Sequence, residues 1–113
     1  MHLEGIARAL SYGGATHSLS DVLDQIERGD AQLWLDDSAL IVTEVHDTPR
    51  LRELRFWIAT GELQAVVDLS ERVLDWGRAM GCKRAVLTGR KGWVKALAGE
   101  GWKQEMVVMG RAL

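Results

Sequence analysis

The feature that most constrains this chain is the order of its apolar segments after Leu51. The run from Leu51 to Ala59 passes through Thr60-Gly61-Glu62 into a long stretch that ends at Met80-Gly81-Cys82. A second run, Ala85-Val86-Leu87, passes through Gly89-Arg90-Lys91-Gly92 into a short stretch ending at Gly101-Trp102, and a third, Gln104 to Met109, follows. In the long stretch Val66, Leu69, Val73, Trp76 and Met80 recur at steps of three and four, one continuous apolar stripe of helical period. A helix of this length between two strand-like runs is the connection that parallel strands require, and such crossovers are right-handed. The order predicts strand, crossover helix from Leu63 to Met80, parallel strand Arg84 to Thr88, short helix Gly92 to Ala98 and a closing strand.

Upstream, Ser18 with Asp21 three residues on resembles a capping box, and Leu19, Val22, Leu23 and Ile26 share one face, predicting a helix that Gly29 ends. Ala31 to Leu35 and Ala39 to His46 read as a hairpin around Asp36-Asp37-Ser38. Asp47-Thr48-Pro49-Arg50 turns the chain into Leu51 to Ala59, the third strand of an antiparallel meander. Strict alternation there puts Leu54, Phe56 and Ile58 on one face and Arg55 and Trp57 on the other. Residues 1–17, with a Gly13-Gly14 breaker, read as an N-terminal arm, and residues 18–113 as a single domain. The fold class is α/β (α+β): a mixed sheet of about five strands with helices packed on it.

Composition narrows the function classes. At 113 residues the chain has the length of one domain, and no apolar run reaches the roughly 20 residues of a membrane span. Met1-His2-Leu3-Glu4-Gly5 lacks the basic and apolar regions of a secretory signal, and one cysteine excludes an internal disulfide, so a cytoplasmic setting is expected. His2, His17, His46 and Cys82 show no metal-ligand spacing, so no metal is expected, and there is no Gly-x-Ser-x-Gly elbow. Five Lys/Arg face thirteen Asp/Glu through Glu71, against nine and three from Arg72 onward. That basic second half suits an anionic ligand, and equally the ordinary solvated faces of helices. Of the five tryptophans, Trp76 lies on the helical stripe; Trp34 and Trp57 alternate on strands and suit an exposed sheet face or a subunit contact; Trp93 and Trp102 suit a clamp on the short helix. Basic residues interleave with an aromatic only around Trp93, so nucleic acid is not expected as a partner.

Two turns carry the densest chemical signal. In Thr88-Gly89-Arg90-Lys91-Gly92-Trp93 the glycines let backbone amides approach an anion, with Arg90 and Lys91 adding charge before a helix N-terminus; the same pattern also describes a plain solvated turn. Thr60-Gly61-Glu62 likewise offers free amides at the start of the long helix.

Trp76-Gly77-Arg78-Ala79-Met80-Gly81-Cys82, Gly89-Arg90-Lys91-Gly92-Trp93 and Gly101-Trp102 resemble a family of small bacteriophage and prophage proteins that itself resembles the GCN5-related N-acetyltransferase (GNAT) fold. The resemblance runs from about Ser18 to Leu113. It implies a three-layer sandwich whose parallel pair, Leu51–Ala59 and Arg84–Thr88, splays apart to admit acetyl-CoA. The thioester would meet the backbone of Trp57, Ile58 and Ala59. The pyrophosphate would sit on amides of residues 60 to 64, which places Gly61, Glu62 and Leu63 at the cofactor, with Arg90 and Lys91 nearby. Glu53, on the third strand, suits a general base acting through water, although an exposed strand glutamate is the more ordinary reading. The sequence departs from the family's phosphate signature, Gln/Arg-x-x-Gly-x-Gly/Ala, in having Thr60-Gly61-Glu62-Leu63-Gln64-Ala65, and its single tyrosine is Tyr12 rather than one on the short helix. Two functions follow: an acyltransferase that moves the acyl group of acetyl-CoA to an amine, or a non-catalytic scaffold with a phage structural, assembly or host-interaction role. A homodimer or a phage or host protein partner is implied, in the bacterial cytoplasm or associated with the virion.

Overall fold

The structure, a computed structural model, describes residues 17–89 and 92–113. Its elements are α1 (Leu19–Arg28), β1 (Gln32–Leu35), β2 (Ala39–Asp47), β3 (Arg52–Gly61), α2 (Leu63–Ala79), β4 (Arg84–Leu87), α3 (Gly92–Ala96) and a 3-10 turn (Ala98–Glu100). The expected arm falls outside the described residues except for His17, whose ring meets Trp57 edge-on at 4.9 Å.

The capping box at α1 is formed: the Asp21 amide donates to Ser18 Oγ and the Ser18 amide donates to Asp21 Oδ2. Gly29 closes the helix at φ 83°, a left-handed conformation that costs a glycine little. The four strands lie in the order β1-β2-β3-β4, antiparallel except for the parallel pair β3–β4 across the crossover α2. Helix α1 buries Val22 against Ala31, Leu40, Val42 and Ile58 on one face of the sheet. On the other face α2 buries Val66, Leu69 and Val73 against Ala39, Ile41, Leu54 and Phe56. Three layers result, with the alternation of β2 serving both cores.

Gly77 lets α2 lie close to β3, because a Cβ there would fall 2.6 Å from Leu54 Cδ2. At the C-terminal end of α2 the Arg52 guanidinium donates to the Met80 carbonyl at 2.7 Å and is held by Asp47 at 2.6 Å, a cation where the helix dipole favours one.

Three expectations are corrected. The described sheet has four strands, not about five, and Gln104 to Met109 forms none of them. Trp102 meets Phe56 edge-on at 5.3 Å, and Phe56 is in register with Leu87, the last residue of β4. Arg84, the first residue of β4, holds Glu105 at 2.5 Å. Side chains of the tail thus reach the sheet at Trp102 and Glu105 without adding a strand to it. The second correction concerns β3, whose alternation is broken. Val42 pairs with Ile58 but Thr43 pairs with Phe56, so Trp57 is a bulged extra residue. Leu54 and Phe56 face α2, whereas Trp57 and Ile58 both pack with the α1 core, and Ala59 returns to the α2 side. Third, Trp34 is not on an exposed face: it packs edge-on against Trp76 at 5.3 Å and donates through Nε1 to the buried Thr43 hydroxyl.

Candidate functional site

The bulge at Trp57 coincides with the end of the parallel ladder. Strands β3 and β4 pair from Glu53↔Arg84 to Phe56↔Leu87 and no further, while β3 continues through Trp57 to Gly61. Among the described residues, the backbone of Trp57, Ile58, Ala59 and Thr60 has no strand partner on the β4 side. A bulge raises local twist and turns one strand from its neighbour, which is the physical cause of the parting. A small pocket of about 10 Å³, room for about one water molecule and open to solvent, occupies the wedge, with Phe56, Ala59, Val66, Ser70, Trp93 and Trp102 in its wall. The Ser70 hydroxyl donates to the Val67 carbonyl at 2.6 Å, so it is satisfied within its own helix. Trp93 also packs on Gly89, where a Cβ would fall 2.7 Å from the indole, so the inner end of the wedge is narrowed by indole rings.

The wide end of the wedge meets the N-terminus of α2. Gly61 has φ 129°, and a Cβ there would fall 2.7 Å from Ala39 Cα and closer still to the Ser38 carbonyl. Glycine is thus required by the approach of β3 to the β1–β2 turn, whatever binds nearby. Glu62 is the N-cap. Its backbone amide donates to the Ser38 carbonyl at 2.9 Å, and its carboxylate accepts from the Gln64 and Ala65 amides at 3.0 Å each. The side chain is turned back onto its own helix and takes two of the free donors itself. Leu63, the first residue of α2, is exposed. Arg90 and Lys91 lie outside the described residues.

Glu53 stands apart from this group. It sits at the closed end of the parallel pair, with Oε2 3.3 Å from Arg84 Nε, three residues before the ladder ends. That is about 10 Å of strand from Phe56. The side chain does not line the cavity. The structure therefore brings together Trp57, Ile58, Ala59, Gly61 and Glu62 along one strand and its exit, and leaves Glu53 at the other end. The lining residues that the sequence reading passed over, Phe56, Val66 and Ser70, carry a signal only in hindsight. Val66 and Ser70 are four apart on the inward face of α2, and Phe56 marks the last residue before the break in alternation. Among the described residues no three His, Cys, Asp or Glu side chains gather as a metal site, and no helix is long and apolar enough to cross a membrane.

Comparison with solved structures follows the same lines. The BH1408 protein of Bacillus halodurans, a tetramutant, superposes with a TM-score of 0.73 at 12% identity, covering 99% of this chain and 94% of that one. Glucosamine-6-phosphate N-acetyltransferase of Arabidopsis thaliana superposes at 0.70 with 12% identity, over 96% of this chain and 88% of that one. An acetyltransferase of Trypanosoma brucei superposes at 0.68 with 10% identity, over 100% of this chain and 96% of that one. The fold is that of the GNAT acetyltransferases. No protein-family model matches the chain, and no curated protein matches it in sequence.

The residues fit the two ends of acetyl-CoA unequally. At the narrow end the unpartnered backbone of β3 offers amides to an acyl group on a thin, uncharged arm, and the Trp93 and Trp102 rings have to swing aside to admit it. At the wide end the Glu62 carboxylate holds the amides that phosphate oxygens would use. Glu62 is exposed, so rotating its side chain outward frees both donors without moving the backbone.

Proposed function

We propose that the protein is an N-acyltransferase that takes the acyl group of acetyl-CoA in the wedge between β3 and β4 and passes it to an amine. The observation that carries this reading is the bulge at Trp57 with the β3 backbone left unpartnered beside a cavity. Acetyl-CoA, when bound, supplies the activated thioester; the new C–N bond forms as the C–S bond breaks, and the thiolate leaves and is protonated. The chain's own part is alignment and polarity. Amides of β3 from Trp57 to Ala59 orient the carbonyl and stabilise developing negative charge on its oxygen. The walls formed by Phe56, Val66 and Trp102 exclude water and hold the reacting atoms in line, where alignment contributes most to rate. The surplus amine proton leaves to solvent water at the open mouth of the wedge. Arg90 and Lys91 add positive charge at the mouth, and a bacterial cytoplasm would provide the co-substrate.

A second reading is supported by the Glu62 cap. A helix whose N-cap carboxylate takes two of its first-turn amides disfavours phosphate there, as expected of a scaffold that keeps the fold and has lost the chemistry. Such a scaffold would serve as a phage structural, assembly or host-interaction protein, including one carried in the virion. Calorimetry or tryptophan fluorescence with acetyl-CoA separates the two. Saturable binding in the micromolar range supports the transferase, and no binding at millimolar ligand supports the scaffold.

A further inference from the structure

We propose that the amine acceptor carries a carboxylate, as an amino acid does, and that Arg55 is the residue that holds it. The inference rests on the transferase reading above and names the substrate class for the same wedge.

On the α2 side of the sheet the wedge is walled by Phe56, Val66, Trp93 and Trp102, so an acceptor reaches the β3 backbone from the α1 side. Leu54 and Phe56 of β3 pack toward α2, as do Ala85 and Leu87 of β4. Alternation therefore leaves Arg55 on the α1 side, in register with Glu44 of β2 and Val86 of β4. The core beneath α1 takes in Ala31, Leu40, Val42 and Ile58, with Trp57 at its margin, and includes no residue of β3 before the bulge.

The other charges of that face are matched. Glu53 pairs with Arg84, which also holds Glu105, and the Glu44 carboxylate lies 3.7 Å from His46 Nε2. Arg55 makes no hydrogen bond or ion pair among the described residues. Every other described Lys or Arg that lacks both is exposed, whereas Arg55 is partly buried. A cation drawn partly out of water is costly unless an anion meets it. The planar guanidinium fork matches the two oxygens of a carboxylate. Arg55 and the bulged Trp57 lie on the same side of β3, two residues or about 7 Å of strand apart. A molecule held at Arg55 thus lays its amine against the unpartnered amides where the acyl group is received. Glu44 across on β2 and Glu53 two residues back on β3 flank the guanidinium. They repel a doubly charged phosphate more than a single carboxylate, and they favour the ammonium of the same molecule.

A set of L-amino acids beside their carboxamides tests this, with the wild type, Arg55→Met and Arg55→Lys. Methionine keeps the stem without the charge, and lysine keeps the charge without the fork. NMR follows the Arg55 Nε–H signal as each compound is added without acetyl-CoA; thiol release follows turnover with it. At least one amino acid should shift the Nε–H signal saturably, and its carboxamide should not. Its KM should rise about ten- to a hundred-fold in Arg55→Met and recover in part in Arg55→Lys. Arg55→Met should melt no lower than the wild type, since no pair is lost. Carboxamides used as well as the acids, a KM indifferent to Arg55→Met, or a lowered melting temperature would overturn the proposal. Arg55-dependent binding of an amino acid without thiol release would refute the transferase reading and leave the Arg55 site standing. Thiol release with amines that lack a carboxylate, unaffected by Arg55→Met, would refute the Arg55 assignment and leave the transferase reading standing.

Discussion

Replacing Glu62 with alanine should make the protein less stable and, at the same time, a better binder of acetyl-CoA. The carboxylate accepts two backbone hydrogen bonds at 3.0 Å in the first turn of α2, and that helix supplies Val66, Leu69 and Val73 to the larger core. Loss of an N-cap typically costs about 0.5–2 kcal/mol, and an exposed one belongs near the middle, about 1 kcal/mol. For a domain of this size that lowers the melting temperature by about 4 °C. The same change removes a negative charge from the place where a phosphate would sit. Two unit charges about 4 Å apart repel by about 1 kcal/mol in water and by several at a protein surface, so affinity should rise about ten-fold or more. Differential scanning calorimetry reads the first effect and isothermal titration the second, with S-acetylpantetheine, which lacks the phosphates, as control. Its affinity should stay within about two-fold, since about 0.4 kcal/mol covers such a change. An unchanged melting temperature would refute the cap. An acetyl-CoA affinity that falls, or that rises equally for the phosphate-free ligand, would refute the placement of phosphate at this helix end.

Three other perturbations follow from the same geometry. Gly77→Ala, which in an exposed helix would stabilise by about 1 kcal/mol, should here destabilise by about 1–3 kcal/mol because the new Cβ meets Leu54; a higher melting temperature would reject the close approach of α2 to β3. The Asp21 carboxyl is held below its ordinary value of 3.8, chiefly by the Ser18 amide and then by the Ser18 hydroxyl. A depressed carboxylate stabilises above its unfolded value and loses that contribution as pH falls through the folded one, so Asp21→Asn should melt lower than wild type at pH 7 and converge on it as pH falls below 3.8 through the depressed folded value. A gap that persists in acid would show that the charge is not its source. Glu53→Gln removes the carboxylate that pairs with Arg84 at the closed end of the ladder, so it should lower the melting temperature and leave kcat alone; a kcat lowered by about 10²–10⁴ with KM for acetyl-CoA unchanged would instead put Glu53 in the proton transfer.

Much of the architecture was legible in the sequence because its signals are local. The stripe from Val66 to Trp76 gave the crossover helix, Ser18 with Asp21 gave the cap of α1, and the helix between two apolar runs required a parallel pair. The bulge left no such trace. Leu54, Phe56 and Ile58 alternate without interruption, and Trp57 is as good a strand residue as its neighbours, so the break appears only when β2 is laid alongside. The C-terminal run misled for a related reason. Its strand propensity is real, but propensity does not say whether a partner edge is offered, and the tail reaches the sheet through the Trp102 ring and the Arg84–Glu105 pair without forming a ladder. At the site, the amides before α2 were foreseen, while the direction of the Glu62 side chain was not, because that depends on whether a ligand or the helix's own N-cap claims them.

Backbone amide NMR during an acetyl-CoA titration tests the wedge most directly. Amides of Trp57, Ile58, Ala59 and Thr60 should shift in a saturable way, together with the indole signals of Trp93 and Trp102, while those of α1 and β1 stay in place. Unmoved β3 amides at millimolar ligand, or shifts confined to another surface, would contradict the account.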